Sequence, residues 1–149
     1  MNLLRSGLGG LLGLGLLLAP ASSQASADVR FGLGADYWLD RGAAFNFTLG
    51  VDADVVGPIS VGARFGALLV TQPNTFAVPA DVVLRANIGS SRRVYIEGLA
   101  GPWIFFEGDT FRAHGAFGFG VQGRSVSLGL EVGYLQPKPI VGLRLGWRF

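Results

Sequence analysis

The sequence predicts an all-β fold, an antiparallel up-and-down β-barrel of eight strands that spans a membrane. Three observations support this prediction. Apolar residues alternate with glycine and polar residues at a period of two, as in strands with two unlike faces. Turn-forming residues interrupt the alternation about every dozen positions. The charged residues of the alternating segments fall opposite the apolar face, which predicts that the apolar face looks at lipid.

Composition excludes several classes of protein. The chain has 149 residues, of which 24 are glycine, none is cysteine and 15% are charged, while half are hydrophobic. A chain this hydrophobic is not disordered, and a chain without cysteine has no disulfides, thiol chemistry or cysteine-bound zinc. Its arginines are scattered, with no run longer than Arg92-Arg93. We therefore expect no nucleic-acid partner.

Residues 1–27 have the pattern of a secretory signal peptide. Arg5 provides the positive start, residues 7–19 form an apolar run, and residues 25–27 read Ala-Ser-Ala, an A-x-A cleavage site. The apolar run is too short to cross a bilayer, which takes about 20 residues in a helix. We expect a cleaved signal peptide over residues 1–27 and one barrel domain over residues 28–149.

The alternation divides the mature chain into eight predicted strands. They cover residues 29–39, 44–55, 59–68, 79–88, 94–104, 113–122, 126–134 and 139–149. An even number of strands brings both chain ends to one side of the membrane and lets the first strand pair with the last. The connections after the second, fourth and sixth strands look shorter than the others, as periplasmic turns are relative to external loops. Pro102 predicts a bulge or an end in the fifth strand, because proline has no backbone donor.

Eleven charged residues share the inward face of the predicted barrel. A charge facing hydrocarbon at mid-bilayer would cost about 2 to 4 kcal/mol, so this one-sided placement is typical of a membrane barrel. Five arginines meet six carboxylates in an interior narrow enough for side chains to fill. We expect a network of ion pairs that plugs the lumen. Its members are Arg30, Asp36, Asp52, Asp54, Arg64, Asp81, Arg85, Glu97, Glu131, Arg144 and Arg148.

The last predicted strand has the clearest pattern, with an apolar face that ends in aromatic residues. The strand count, the lipid-facing alternation and this terminal strand resemble those of OmpA/OmpX-type eight-stranded outer-membrane barrels over the whole mature chain. The resemblance implies a location in the bacterial outer membrane, contact with outer-membrane lipids, and an assembly signal read by the outer-membrane insertion machinery. The residues of that signal are Val141, Leu143, Leu145, Trp147 and Phe149.

His114 is the only histidine and is a candidate for catalysis. Some lipid A deacylases of this size resemble the chain and use a His-x-Ser pair, but residue 116 here is alanine, so the nucleophile is missing. We interpret His114 as a polar residue at the barrel mouth and predict no catalytic residue. Asp52 and Asp54 could pair for catalysis or bind a cation. The nearly equal number of arginines favours ion pairs instead, so neither a metal nor a cofactor is predicted.

Small residues cluster on the outward face of the third to fifth strands. One hypothesis is contact with a protein partner or a second copy, because small residues permit close approach in lipid, and the alternative is that the cluster arises by chance. The small residues are Ala63, Ala67, Ala80, Ala86, Gly98 and Ala100. Aromatic residues near the strand ends, Phe105 among them, predict girdles at the two membrane interfaces.

These predictions favour a structural or envelope role without enzymatic activity. The alternatives are a lipid-modifying outer-membrane enzyme of the lipid A deacylase kind and a narrow channel. The missing serine argues against the enzyme, and the balanced luminal charge argues against the channel.

Overall fold

The described residues, 27–72 and 74–149, fold into a closed barrel of eight antiparallel strands in a computed structural model. The strands are β1 (Ala27–Trp38), β2 (Gly42–Val56), β3 (Ile59–Thr71), β4 (Asn74–Ile88), β5 (Val94–Phe105), β6 (Phe111–Gln122), β7 (Val126–Leu135) and β8 (Lys138–Arg148). Each strand pairs with the next, and β1 pairs with β8 to close the sheet. The predicted fold is confirmed. The predicted signal peptide lies outside the described residues except for Ala27.

The two ends of the barrel have connections of similar length. Those after odd-numbered strands cover residues 39–41, 72–73, 106–110 and 136–137, and those after even-numbered strands cover 57–58, 89–93 and 123–125. The expected contrast between long loops and tight turns is therefore wrong. The reason is that several strands continue past their predicted ends, so that the loop expected around residues 71–76 is a short connection between β3 and β4.

We name the two ends of the barrel for use below. The loop end holds the connections after odd-numbered strands. The turn end holds the connections after even-numbered strands together with Ala27 and Phe149.

Strand β5 passes through Pro102 without a bulge. The pairs Val82 with Ala100 and Pro79 with Trp103 share one register, and β5 ends only at Phe105. The expected bulge or strand end at Pro102 is wrong. The β4–β5 ladder lacks pairs at Gly101 and Pro102, where proline has no N–H to donate, and the pairing resumes in the same register beyond them.

Two glycines allow neighbouring strands to approach closely. A Cβ atom at Gly66 would overlap the carbonyl oxygen of Phe47, and one at Gly101 would overlap the carbonyl oxygen of Ala80. Both glycines have inward parity, where a side chain would have to pass the adjacent backbone. Glycine is therefore required at these positions for the sheet to curve as it does.

The exterior of the barrel is apolar. No charged residue within the described strands has outward parity, and large side chains such as Leu128 (53% exposed) stand free on the outside. Near the turn end, the Phe31 ring lies 4.7 Å from the Phe47 ring and 5.7 Å from the Trp147 ring. The described residues contain no helix long and apolar enough to cross a membrane. The exterior is that expected of a transmembrane barrel.

Candidate functional site

The lumen contains a set of charged side chains that cross it. Glu131 on β7 accepts hydrogen bonds from Arg64 on β3 (Nη1 to Oε2, 2.9 Å) and from Arg144 on β8 (Nη2 to Oε1, 2.9 Å). Arg64 Nη2 lies 2.9 Å from Asp81 Oδ2 on β4, and Arg144 Nη1 lies 2.5 Å from Asp36 Oδ1 on β1. We call these five residues the central network. Charge-assisted bonds to guanidinium groups are strong and directional, so the network ties β1, β7 and β8 to β3 and β4.

Glycines make room for the Arg144 side chain inside the barrel. A Cβ atom at Gly34 would lie 2.5 Å from Arg144 Nη1, and one at Gly142 would lie 2.7 Å from the same nitrogen. A Cβ atom at Gly142 would also overlap Asp36 Oδ1. The luminal glycines and the long arginine therefore occupy complementary volumes.

His114 extends the central network from β6. Its Nδ1 lies 2.8 Å from Asp81 Oδ1, and the indole Nε1 of Trp103 donates to the same oxygen at 3.0 Å. The His114 and Trp103 rings are 4.3 Å apart, and the His114 side chain is 0% exposed. The expectation that His114 lies at the barrel mouth is wrong, because Asp81 and Trp103 hold it within the interior.

Two further ion pairs lie between the central network and the turn end. Arg85 on β4 pairs with Glu97 on β5 at 2.5 Å, and its guanidinium carbon lies 4.1 Å from the centre of the Tyr95 ring. Arg30 on β1 pairs with Asp52 on β2 at 2.8 Å. Both pairs are partly buried and join adjacent strands, so they stabilise the ladder rather than bridge the lumen.

The remaining predicted charges lie at the turn-end rim. Arg148 Nε is 3.6 Å from Asp28 Oδ2, and both side chains are about one third exposed, at 32% and 37%. Asp54 is exposed and forms no ion pair with the described residues. The structure thus brings ten of the eleven predicted residues into ion pairs. Asp54, near the turn-end terminus of β2, is the exception.

An apolar layer fills the lumen at the loop end. Its largest members are Trp38, Trp103 and Phe105, each 2% exposed or less, and the Trp38 indole donates to the carbonyl oxygen of Leu135 at 3.0 Å. The guanidinium of Arg112 covers the layer, 4.5 Å from the Phe105 ring centre. The full layer is Trp38, Ala44, Leu68, Val70, Ala77, Trp103, Phe105, Leu135 and Ile140.

Sequence reasoning missed this apolar layer. Phe105 was expected in an outward girdle, and that expectation is wrong. The available signal was parity, since Trp103 and Phe105 continue the inward set that begins with Tyr95 and Glu97. Because Trp103 and Phe105 are apolar, like the lipid-facing residues, their residue type alone did not indicate an inward position.

A small cavity separates the central network from the turn end. Its volume is about 70 Å³, and its lining includes Arg30, Asp52, Arg85, Tyr95 and Glu97. A space of this volume with charged side chains in its lining has room for a few water molecules. It lies on the turn-end side of Arg64 and Arg144, which also line it, while the apolar layer lies toward the loop end.

The residues considered for catalysis or metal binding have the following surroundings. Residue 116, where a serine would be needed, is alanine, and Asp52 is engaged by Arg30. The described residues contain no group of three side chains that could hold a metal ion. At the loop-end surface, the hydrogen bond from Lys138 (2.7 Å) lowers the pKa of Asp40 below its usual value. The Lys138–Asp40 pair is exposed and lies outside the lumen.

The predicted assembly signal lies along the seam of the barrel. β8 sits between β7 and β1, with Leu145 opposite Leu128 on one side and Leu33 on the other. Phe149 follows β8, is 83% exposed, and donates its backbone N–H to the carbonyl oxygen of Val29 at 3.1 Å. Its role in insertion stays a prediction.

The small-residue face lies on the exterior of β3 to β5, as its parity requires. At Gly98 a Cβ atom would meet no heavy atom within 4 Å, and Ala63 and Ala100 are exposed. Ala67, Ala80 and Ala86 are partly covered by their neighbours. Contact of this face with a partner stays a prediction.

Comparison with known proteins identifies the fold. No protein-family model matches the chain, and no curated protein matches it. A de novo designed transmembrane β-barrel is similar, with a TM-score of 0.66 and 11% identity over 82% of this chain and 95% of that one. The outer membrane protein Ail of Yersinia pestis, in a phospholipid bilayer nanodisc, has a TM-score of 0.54 and 13% identity over 83% and 100%. Neisserial surface protein A has a TM-score of 0.54 and 12% identity over 85% and 98%.

Fold and exterior together give the location of the protein. The closed eight-stranded barrel has the architecture of small outer-membrane barrels. Single-chain barrels of the bacterial outer membrane have an even number of strands and an apolar lipid-facing band, and this chain has both. The chain is therefore an integral protein of the bacterial outer membrane.

Proposed function

We propose that this protein is a structural component of the outer membrane whose lumen is closed to ions and solutes. The observation that supports the proposal most is the central network. Glu131 receives one arginine from each side of the lumen, and each arginine then reaches a second carboxylate. Cation and anion channels instead use rings of like charge that a permeating ion can bind and leave.

The apolar layer supports the same proposal from the loop end. An ion that entered there would have to shed its water beside Trp38, Trp103 and Phe105, and burying an unpaired charge in apolar surroundings is very costly. The apolar layer and the central network act in series along the barrel axis. A solute would have to displace both.

A lipid-modifying enzyme is the weaker candidate. His114 is enclosed by Asp81 and Trp103 with none of its side chain exposed, so it has no access to a lipid substrate. A serine nucleophile is missing two residues further on. No observation on the exterior favours this activity.

Planar-bilayer recording of the purified, refolded protein tests the proposal. We expect no steady conductance from the wild-type barrel. A triple variant that trims the apolar layer and the central network, Trp38→Ala with Trp103→Ala and Arg144→Ala, should show openings. The exterior variant Phe47→Ala serves as the control and should stay silent.

Gel migration with and without boiling shows whether each variant is folded before recording. Openings of the wild-type protein that are as frequent as those of the triple variant would overturn the proposal. Silence of the wild type and the control, together with openings in the triple variant, would support it.

A further inference from the structure

The two rims of the barrel differ in charge. At the loop end, three basic residues match three acidic ones, namely Arg41, Arg112 and Lys138 against Asp40, Glu107 and Asp109. At the turn end, four basic residues outnumber two acidic ones, namely Arg92, Arg93, Arg124 and Arg148 against Asp28 and Asp54. The excess positive charge of the protein is therefore concentrated at the turn end.

Hydrogen bonds to Gln122 hold the backbone of the β4–β5 connection and the side chain of Arg148 in place. The backbone N–H of Gln122 donates to the carbonyl oxygen of Arg93 at 2.7 Å, and its side-chain amide donates to that of Arg92 at 2.8 Å. The same side chain accepts from Arg148 Nη2 at 3.1 Å. Gln122 thus fixes the β4–β5 connection beside the β6–β7 connection that contains Arg124. Arg92, Arg93 and Arg124 are exposed and form no ion pair with the described residues.

A shallow crevice opens between the β6–β7 connection and the end of β8. Its lining includes Arg30, Arg124, Arg148, Ser125 and Trp147. Besides its hydrogen bond to Gln122, Arg148 has one ion-pair partner among the described residues, Asp28, with 3.6 Å between Arg148 Nε and Asp28 Oδ2. Partly exposed pairs of this kind are weak. Trp147 has outward parity and stacks near Phe31, which sets the crevice at the depth of the lipid headgroups.

We propose that this crevice binds the phosphate of an anionic phospholipid in the leaflet at the turn end. Guanidinium groups match the geometry of a phosphate and donate two hydrogen bonds at once. Arg124 and Arg148 supply these donors, the Ser125 hydroxyl supplies a third, and Arg92 with Arg93 adds attraction from the neighbouring connection. Trp147 packs against the glycerol and the start of the acyl chain. A free phosphate ion would lack this last contact, so the ligand is a lipid.

Native mass spectrometry of the full-length folded barrel tests the proposal. The protein is reconstituted in vesicles of equal parts phosphatidylcholine and phosphatidylglycerol, extracted in mild detergent, and the retained lipids are counted. We expect the wild type to retain more phosphatidylglycerol than phosphatidylcholine. The variants Arg124→Gln and Arg148→Gln should each reduce the preference about fivefold, as expected for one arginine at an anionic surface.

The variant Arg41→Gln, with the same change at the opposite rim, is the control and should keep the preference. All variants are checked for folding by gel migration with and without boiling. Equal retention of the two lipids by the wild type would overturn the proposal, and so would an equal loss in Arg41→Gln. Loss of the preference when inorganic phosphate is added at the concentration of the lipid would assign the site to free phosphate and would also overturn it.

Discussion

Glu131 is the residue on which the luminal charges converge. It is 2% exposed and is bonded to Arg64 and to Arg144. Its carboxylate is desolvated, and the two guanidinium groups, with His114 Nε2 3.8 Å away, compensate that loss. The net stabilisation from such buried ion pairs is small. Removal of Glu131 is costly because it leaves buried arginine charges uncompensated.

Replacement of Glu131 by glutamine should destabilise the barrel strongly. The change leaves two buried arginines with one carboxylate each, and breaking a buried pair costs about 3 to 5 kcal/mol. The free energy of unfolding, measured by urea titration of the protein in phospholipid vesicles, should fall accordingly. Asp40→Asn is the matched control, since Asp40 lies in an exposed pair with Lys138 and its loss should have no measurable effect. Equal stability of the two variants would show that the central network is not formed in the membrane.

At the scale of the element, β8 combines both environments of the barrel. Its outward residues meet β7 and β1 neighbours that are also apolar, and its inward residue Arg144 joins the central network. Phe149 differs from the rest of the segment, because it follows the strand and makes one backbone hydrogen bond. Its exposed ring has little to contribute to the folded barrel.

The variant Phe149→Ala therefore separates assembly in cells from stability. If the ring serves recognition by the insertion machinery, the amount of protein in the outer-membrane fraction should fall several-fold. Folding yield and unfolding free energy in vesicles that lack the machinery should change far less than the level in cells, since the ring is 83% exposed in the protein alone and makes few contacts within the barrel. Leu135→Ala provides the contrast, because Leu135 is fully buried and its loss should lower stability in vesicles by about 2 to 5 kcal/mol. Normal outer-membrane levels of Phe149→Ala would contradict the assembly role.

At the scale of the whole molecule, the fold could be predicted because lipid imposes one parity on every strand. Arg64, Asp81 and Glu131 all avoid the exterior for the same physical reason, so the strand number and the inward face follow from the alternation. The choice of partners could not be predicted. Asp36 and Arg144 are 108 positions apart, and their contact depends on how β1 and β8 close the barrel.

The interior of the loop end was beyond prediction for a related reason. Trp38 and Phe105 are apolar, as the lipid-facing residues are, and only parity distinguishes them. These side chains exclude water from the loop end and extend the strands there. The loop-end connections are short because the strands extend into this packed layer. The positions of turn-forming residues alone do not predict that length.

The central claim is that the apolar face of every strand looks at lipid and the polar face at the lumen. A single-cysteine scan of residues 45–51 in β2 tests it directly, because the chain has no cysteine of its own. Each variant is folded in vesicles, reacted with a small membrane-permeant fluorophore, and examined with lipids that carry a quencher. We expect labelling and quenching at Phe45, Phe47, Leu49 and Val51, which are 43% to 54% exposed, and protection at Asn46, Thr48 and Gly50. Quenching with the opposite phase, or without alternation, would contradict the account.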